Sequence, residues 1–128
     1  MKFLVVDDSR IMRTIIKNLL DKGKLVLSEE IEFTEAFNGL EALQILESTQ
    51  IDFILLDWNM PLLDGIGLVR KVRAKPALKD LPIIMITAEA AKYNYIEAIK
   101  EGVNDYIIKP VDEEILIKKI NKQLAKRE

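Results

Sequence analysis

The chain has 128 residues, of which 49% are hydrophobic and 31% charged, with a formal net charge of -2. That is the size of one domain with a sizeable core, and no excess of Lys and Arg exists to neutralise a nucleic-acid backbone. There is no Cys and no His, which excludes disulfides, thiolate zinc sites and imidazole catalysis and leaves oxygen as the ligand for any metal.

The elements follow in order. Phe3-Leu4-Val5-Val6 is a short continuous apolar run, as expected of a strand covered on both faces. It is too short for a membrane span or a signal peptide and runs straight into Asp7 and Asp8, so the expected compartment is the cytoplasm, with no membrane contact. Ile11, Ile15, Leu19 and Met12, Ile16, Leu20 recur at helical spacing and are expected to form one apolar face, stopped by Gly23. Ile31 to Ala36 alternates in polarity and reads as a strand nearer an edge. Leu40, Leu43 and Leu46 mark a helix that starts at Asn38-Gly39. Phe53-Ile54-Leu55-Leu56 is a second buried strand, and Ile66, Val69 and Val72 mark a helix after Asp64-Gly65. Ile83-Ile84-Met85-Ile86 repeats the buried-strand pattern, and a helix from Ala91 to Glu101 ends at Gly102. Tyr106-Ile107-Ile108 reads as the last buried strand. Asp112 to Lys126 is a helix with Ile117, Ile120 and Leu124 inside and a basic last turn that suits the helix dipole. Strand and helix thus alternate throughout, which predicts one α/β domain over residues 1–128, a three-layer α/β/α sandwich on a five-stranded parallel sheet.

In such a sheet, ligands bind outside the carboxyl ends of the strands. Asp7 and Asp8 follow the first strand, Asp57 the third, Thr87 ends the fourth and Lys109 follows the fifth. Three crowded carboxylates repel one another unless a cation sits among them, and oxygen-only ligation in an open site suits Mg²⁺. A carboxylate beside such an ion can attack phosphorus, with a lysine and a hydroxyl neutralising the equatorial oxygens. Taken singly, each residue has a plainer use. Asp8 or Ser9 can cap a helix, Asp57 can open a turn with Asn59-Met60-Pro61, and Lys109 can be a solvated surface charge. The conjunction at one sheet edge argues against all of these together.

Val5-Val6-Asp7-Asp8-Ser9, Asp57-Trp58-Asn59-Met60-Pro61 with Asp64-Gly65, Thr87-Ala88-Glu89-Ala90, and Tyr106 followed by Lys109-Pro110 resemble the receiver domains of two-component response regulators, above all the chemotaxis branch. The resemblance spans essentially the whole chain. It implies a flavodoxin-like sheet of order 2-1-3-4-5 and a phosphoryl group accepted on Asp57 from the phosphohistidine of a sensor histidine kinase. Asp8, Asp57 and the backbone carbonyl of Asn59 would hold Mg²⁺ directly, and Asp7 would act through a metal-bound water. Thr87 and Lys109 would contact the phosphoryl oxygens, Ala88 would keep the entrance open, and Thr87 with Tyr106 would form a switch pair. Asn59 and Glu89 would tune the lifetime of the phosphate, and the Lys109-Pro110 bond would be cis. The resemblance also implies a monomer without catalysis beyond its own phosphorylation and dephosphorylation, acting on a flagellar motor switch and served by a phosphatase. A phosphorelay shuttle, a receiver cut from a longer regulator and a non-phosphorylated docking module remain open as alternatives.

Two further features bear on this reading. Ala91, Tyr95, Ala98 and Ile96, Ile99, Val103 make two adjacent apolar ridges, more than one buried stripe needs, and the resemblance implies a partner face here made of Lys92, Tyr95, Ile99, Tyr106 and Lys119. A broad core face explains the same ridges equally well. Asp21 to Glu30 is about five residues longer than in the chemotaxis proteins, on the side of the sheet away from the site. Rival readings fit less well. A mononucleotide carrier needs a hydroxyl-rich phosphate loop where Asp7-Asp8 stands, and an aspartate phosphatase needs an acid where Asn59 stands.

Overall fold

The computed structural model describes residues 1–23, 30–88 and 92–126. Five parallel strands, β1 (Lys2–Val6), β2 (Glu32–Ala36), β3 (Phe53–Leu56), β4 (Ile83–Thr87) and β5 (Asp105–Ile108), form one sheet in the order β2-β1-β3-β4-β5. The helices are α1 (Arg10–Lys22), α2 (Gly39–Ser48), α3 (Gly65–Arg73), α4 (Lys92–Glu101) and α5 (Glu113–Ala125). A 3₁₀ turn at Pro76–Leu78, which the sequence reading did not anticipate, precedes β4.

Because strand side chains alternate, the sheet sorts its own core into two. Leu4, Val6, Ile54, Leu56, Ile83, Met85 and Tyr106 pack with Leu68, Val69, Val72 and Ala98 on the side of α2, α3 and α4. Phe3, Val5, Phe53, Leu55, Ile84, Ile86 and Ile107 pack with Ile16, Leu20, Leu116, Ile120 and Leu124 on the side of α1 and α5. The Phe3 and Phe53 rings stack at 5.1 Å within this second core. Each fully buried aliphatic side chain contributes roughly 1.5–3 kcal/mol, so two complete cores hold the strand ends firmly in place.

Helix starts match their capping residues. Ser9, Asn38, Asp64 and Asp112 each accept a hydrogen bond from the backbone N–H three residues on, at Met12, Glu41, Gly67 and Ile115. Helix α4 ends at Gly102, whose φ of 112° is a conformation that a side chain disfavours. The Lys109-Pro110 bond is cis, as the resemblance implies.

Three expectations need correction or completion. Helix α1 does not bury both of its apolar ridges. Ile16 and Leu20 are buried, whereas Ile11 is 75% and Ile15 is 41% exposed, because the sheet and α5 cover only one stripe. Strand β5 is the second sheet edge and not a strand covered throughout, and Ile108 is half-exposed there. Of the α4 ridges, Ala98 and Val103 are buried while Tyr95, Ile96 and Ile99 are exposed. Each ridge thus gives one described residue to the core and exposes the others. The longer segment Asp21–Glu30 lies mostly outside the described residues, as do Glu89, Ala90 and Ala91.

A candidate phosphoryl-transfer site at the carboxyl edge of the sheet

Three site residues are held by hydrogen bonds that extend the sheet by one more rung. The Asp7 N–H donates to the Ala36 carbonyl at 3.1 Å, the Asp57 N–H to Val6 at 2.9 Å, and the Lys109 N–H to Thr87 at 2.8 Å. Their side chains therefore emerge where the paired strands diverge. Asp7 and Asp57 are buried, at 1% and 7% exposure, and Asp8 is exposed. Carboxylate oxygens of the three lie within 4.8 Å of one another.

Lys109 lies over this cluster. Its Nζ donates to Asp7 Oδ2 at 3.0 Å and sits 3.6 Å from Asp57 Oδ2. The other oxygen of each aspartate meets backbone, with Asp7 Oδ1 accepting from the Ser9 N–H and Asp57 Oδ1 from the Trp58 N–H, both at 2.9 Å. Burial pushes the Asp57 carboxyl above the usual range, and the neighbouring Asp7 carboxylate adds to this. Lys109 and the Trp58 N–H pull it back, and Asp8 raises it further. One ammonium thus faces three carboxylates, a net negative cluster that attracts a cation.

The donor set suits a small hard cation. All ligating groups are oxygens, two carboxylates are fixed, and the exposed Asp8 leaves an open side for water or phosphate. Ser9, and not Asp8, caps α1. This leaves the Asp8 carboxylate free of any hydrogen bond or ion pair to a described residue, so the plainer use of Asp8 as a cap does not apply.

The remaining predicted residues fall into place around the cluster. Thr87 is fully buried at the end of β4, and Asn59 is exposed just beyond Asp57. In the β4–β5 register Met85 pairs with Tyr106, so Thr87, two residues on, shares a sheet face with Tyr106. That is the α4 face. Tyr106 is buried, with its ring edge-on to Tyr95 at 5.7 Å. Lys119 binds Asp105 Oδ1 at 2.7 Å, which fixes its charge against the edge strand. Of the partner-face residues, Tyr95, Ile99, Tyr106 and Lys119 lie on or beside α4, β5 and α5. The side chain of Lys92 and the whole of Glu89 lie outside what is described.

Two residues at the site carry roles that sequence reasoning did not give them: Gly65, named only as a helix start and motif position, and Arg13, not named at all. A Cβ on Gly65 would stand 2.4 Å from the Asp57 carbonyl oxygen, so only glycine lets α3 begin that close to the acceptor. Arg13 Nη1 donates to the Asp7 carbonyl at 2.6 Å. A basic residue in the second turn after an acidic pair was the available signal for it. An open cleft of about 650 Å³ between Leu46, Ile51, Leu78 and Gln123 lies toward the amino ends of the strands and contains none of these residues.

Comparison with known proteins decides the family. The response regulator receiver domain family matches residues 3–121. The chain belongs to that family. It is 47% identical to the chemotaxis protein CheY of Pseudomonas aeruginosa over 125 residues, covering 95% of this chain and 94% of that protein. It is 45% identical to CheY-3 of Vibrio cholerae, covering 95% and 90%. Among solved structures, the receiver domain of Francisella response regulator 1452 superposes with a TM-score of 0.84 at 33% identity, covering 99% and 98%. The receiver is therefore of the CheY-like type, which supports a phosphoacceptor role in two-component chemotaxis signalling.

Proposed function

We propose that this receiver accepts a phosphoryl group on Asp57 with Mg²⁺ bound beside it, and that it relays the change to a partner through α4, β5 and α5. The observation that carries the reading is the Asp7, Asp8 and Asp57 cluster with Lys109 at 3.0 and 3.6 Å. Asp8, Asp57 and the Asn59 carbonyl would hold the ion directly and Asp7 through water. The ion would supply charge neutralisation on the phosphoryl oxygens.

The chain's own residues account for the rest. An Asp57 oxygen attacks the phosphorus of a donor phosphohistidine on a sensor kinase. The P–O bond forms as the P–N bond breaks, and the imidazole nitrogen leaves with the bonding pair and takes a proton from water. The Trp58 N–H orients the carboxylate, Lys109 offsets charge on the transferred group, and the Thr87 hydroxyl would donate to one of its oxygens. Asn59 and Glu89 would set how fast the acyl phosphate is lost. No further catalysis is assigned.

Drawn toward the new anion, Thr87 would bias the Tyr106 ring on the same sheet face and thereby the exposed Tyr95, Ile96 and Ile99 of α4. A flagellar motor switch protein is the proposed target, with a phosphatase as the third partner and a monomer in the cytoplasm as the working state. Among the described residues no helix is long and apolar enough to cross a membrane. Acetyl phosphate with Mg²⁺ should add one phosphoryl group to the protein and none to Asp57→Asn, as read by intact-mass spectrometry. Undiminished labelling of the variant would remove Asp57 as the acceptor.

A further inference from the structure

The loop that carries Asp7 and Asp8 is held from outside the site as well as from within it. Asp7 uses all of its polar groups. Its N–H donates to Ala36, its carboxylate oxygens accept from the Ser9 N–H and Lys109 Nζ, and its carbonyl accepts from Arg13 Nη1 at 2.6 Å. That carbonyl belongs to the peptide bond between Asp7 and Asp8. Its plane sets the direction in which the Asp8 side chain leaves the backbone. The Asp8 carboxylate has no hydrogen bond or ion pair to a described residue, so its aim depends on this peptide plane.

Arg13 is in turn fixed. Its side chain is only 13% exposed, and its Nε donates to Glu35 Oε1 at 3.0 Å while Lys17 Nζ lies 3.3 Å from Glu35 Oε2. Burial raises the Glu35 carboxyl, but the hydrogen bonds and charges of Arg13 and Lys17 outweigh it and keep the group ionised. A line of contacts thus runs from edge strand β2 through α1 to the peptide between the two acidic residues.

We propose that Arg13, held by Glu35, is a positioning residue for the metal site, fixing the Asp7–Asp8 peptide so that the Asp8 carboxylate converges with Asp57 on a divalent cation. The inference rests on the proposed metal site and adds to it a residue that touches neither metal nor phosphate. It also makes a prediction opposite in sign to simple electrostatics. A guanidinium beside a cation site repels the incoming ion, so its removal as a mere charge should tighten binding. As a positioning group, its removal should weaken binding.

The test is a Mg²⁺ titration followed by Trp58 emission in the intact protein, with urea melts in chelator to verify folding. Arg13→Ala should weaken Mg²⁺ binding about tenfold or more, the range seen when a support to a metal ligand is lost. Glu35→Gln, which keeps a neutral acceptor, should show a smaller loss in the same direction. Arg13→Lys retains the charge but not the two-way fork, and should recover part of the affinity. Labelling by acetyl phosphate should return to near the wild-type rate at saturating Mg²⁺, which separates a binding role from a general weakening of the site. Unchanged or tighter binding by a cooperatively melting Arg13→Ala overturns the proposal. Should that variant fail to fold, unchanged binding by Glu35→Gln overturns it instead. A wild-type protein with no magnesium response would overturn the metal reading and this proposal together, whereas a failure confined to the variants would spare the metal site.

Discussion

Adjacent residues at the end of β1 do different jobs, and substitutions should separate them. Ser9→Ala removes the cap of α1 and is expected to lower stability by about 1 kcal/mol while leaving the magnesium response intact. Asp8→Ala should do the reverse, with a much weaker response in Trp58 emission and metal-free stability that is unchanged or raised, since one repelling charge is gone. A large loss of metal-free stability in Asp8→Ala would return that residue to a structural role. Asp57 supplies a pH dependence. Its native carboxyl is held above its unfolded range, so in the window between the two the native state binds the extra proton. Stability in chelator therefore falls as pH rises through that window. Asp57→Asn should be more stable than wild type at neutral pH, with the gain vanishing as pH drops below the ordinary aspartate range. Denaturant melts at several pH values read this directly, and a gain that persists in acid would contradict it.

At the level of elements, the sequence was most informative where burial is complete. The runs Phe3 to Val6, Phe53 to Leu56 and Ile83 to Ile86 are apolar without interruption because helices cover both faces, and all three are fully buried strands. The polar residues directly after them were legible as a site for the same reason, since a charge at the end of a buried strand has few other uses. In Tyr106-Ile107-Ile108 the burial of Tyr106 and Ile107 was legible, but the exposure of Ile108 was not, because it follows from the edge position of β5. Helix α1 misled differently. Its ridges at Ile11, Ile15 and at Ile16, Leu20 look alike in sequence, and only the packing of the sheet and α5 separates the buried from the exposed. Arg13 was hard to read because its partners, Asp7 just after β1 and Glu35 on β2, come from two separate segments and only the folded chain brings them to it. The close fit of Gly65 against the Asp57 carbonyl also belongs at this scale. Gly65→Ala should displace the start of α3, lower stability by about 1–3 kcal/mol and weaken the magnesium response, because the displaced turn carries Asn59. An unaltered titration curve in that variant would show that the turn tolerates the shift.

Across the whole molecule, the site is assembled from residues about a hundred positions apart, with Lys109 reaching back to Asp7. The Asp57 and Lys109 amides are bonded to Val6 and Thr87 across different strand pairs. Hydrogen exchange at both should follow global unfolding and share one free energy. Faster exchange at Lys109 alone would show that the β5 edge opens independently. Such a layout makes the chemistry a late property of the chain. During synthesis Asp7, Asp8 and Asp57 emerge early, but the cation that tempers them and the strand that carries Tyr106 come in the last quarter. A nascent or clipped chain would carry the acidic cluster without the parts that use it. A receiver built this way should gain its phosphoacceptor chemistry only once the chain has folded as far as Lys109.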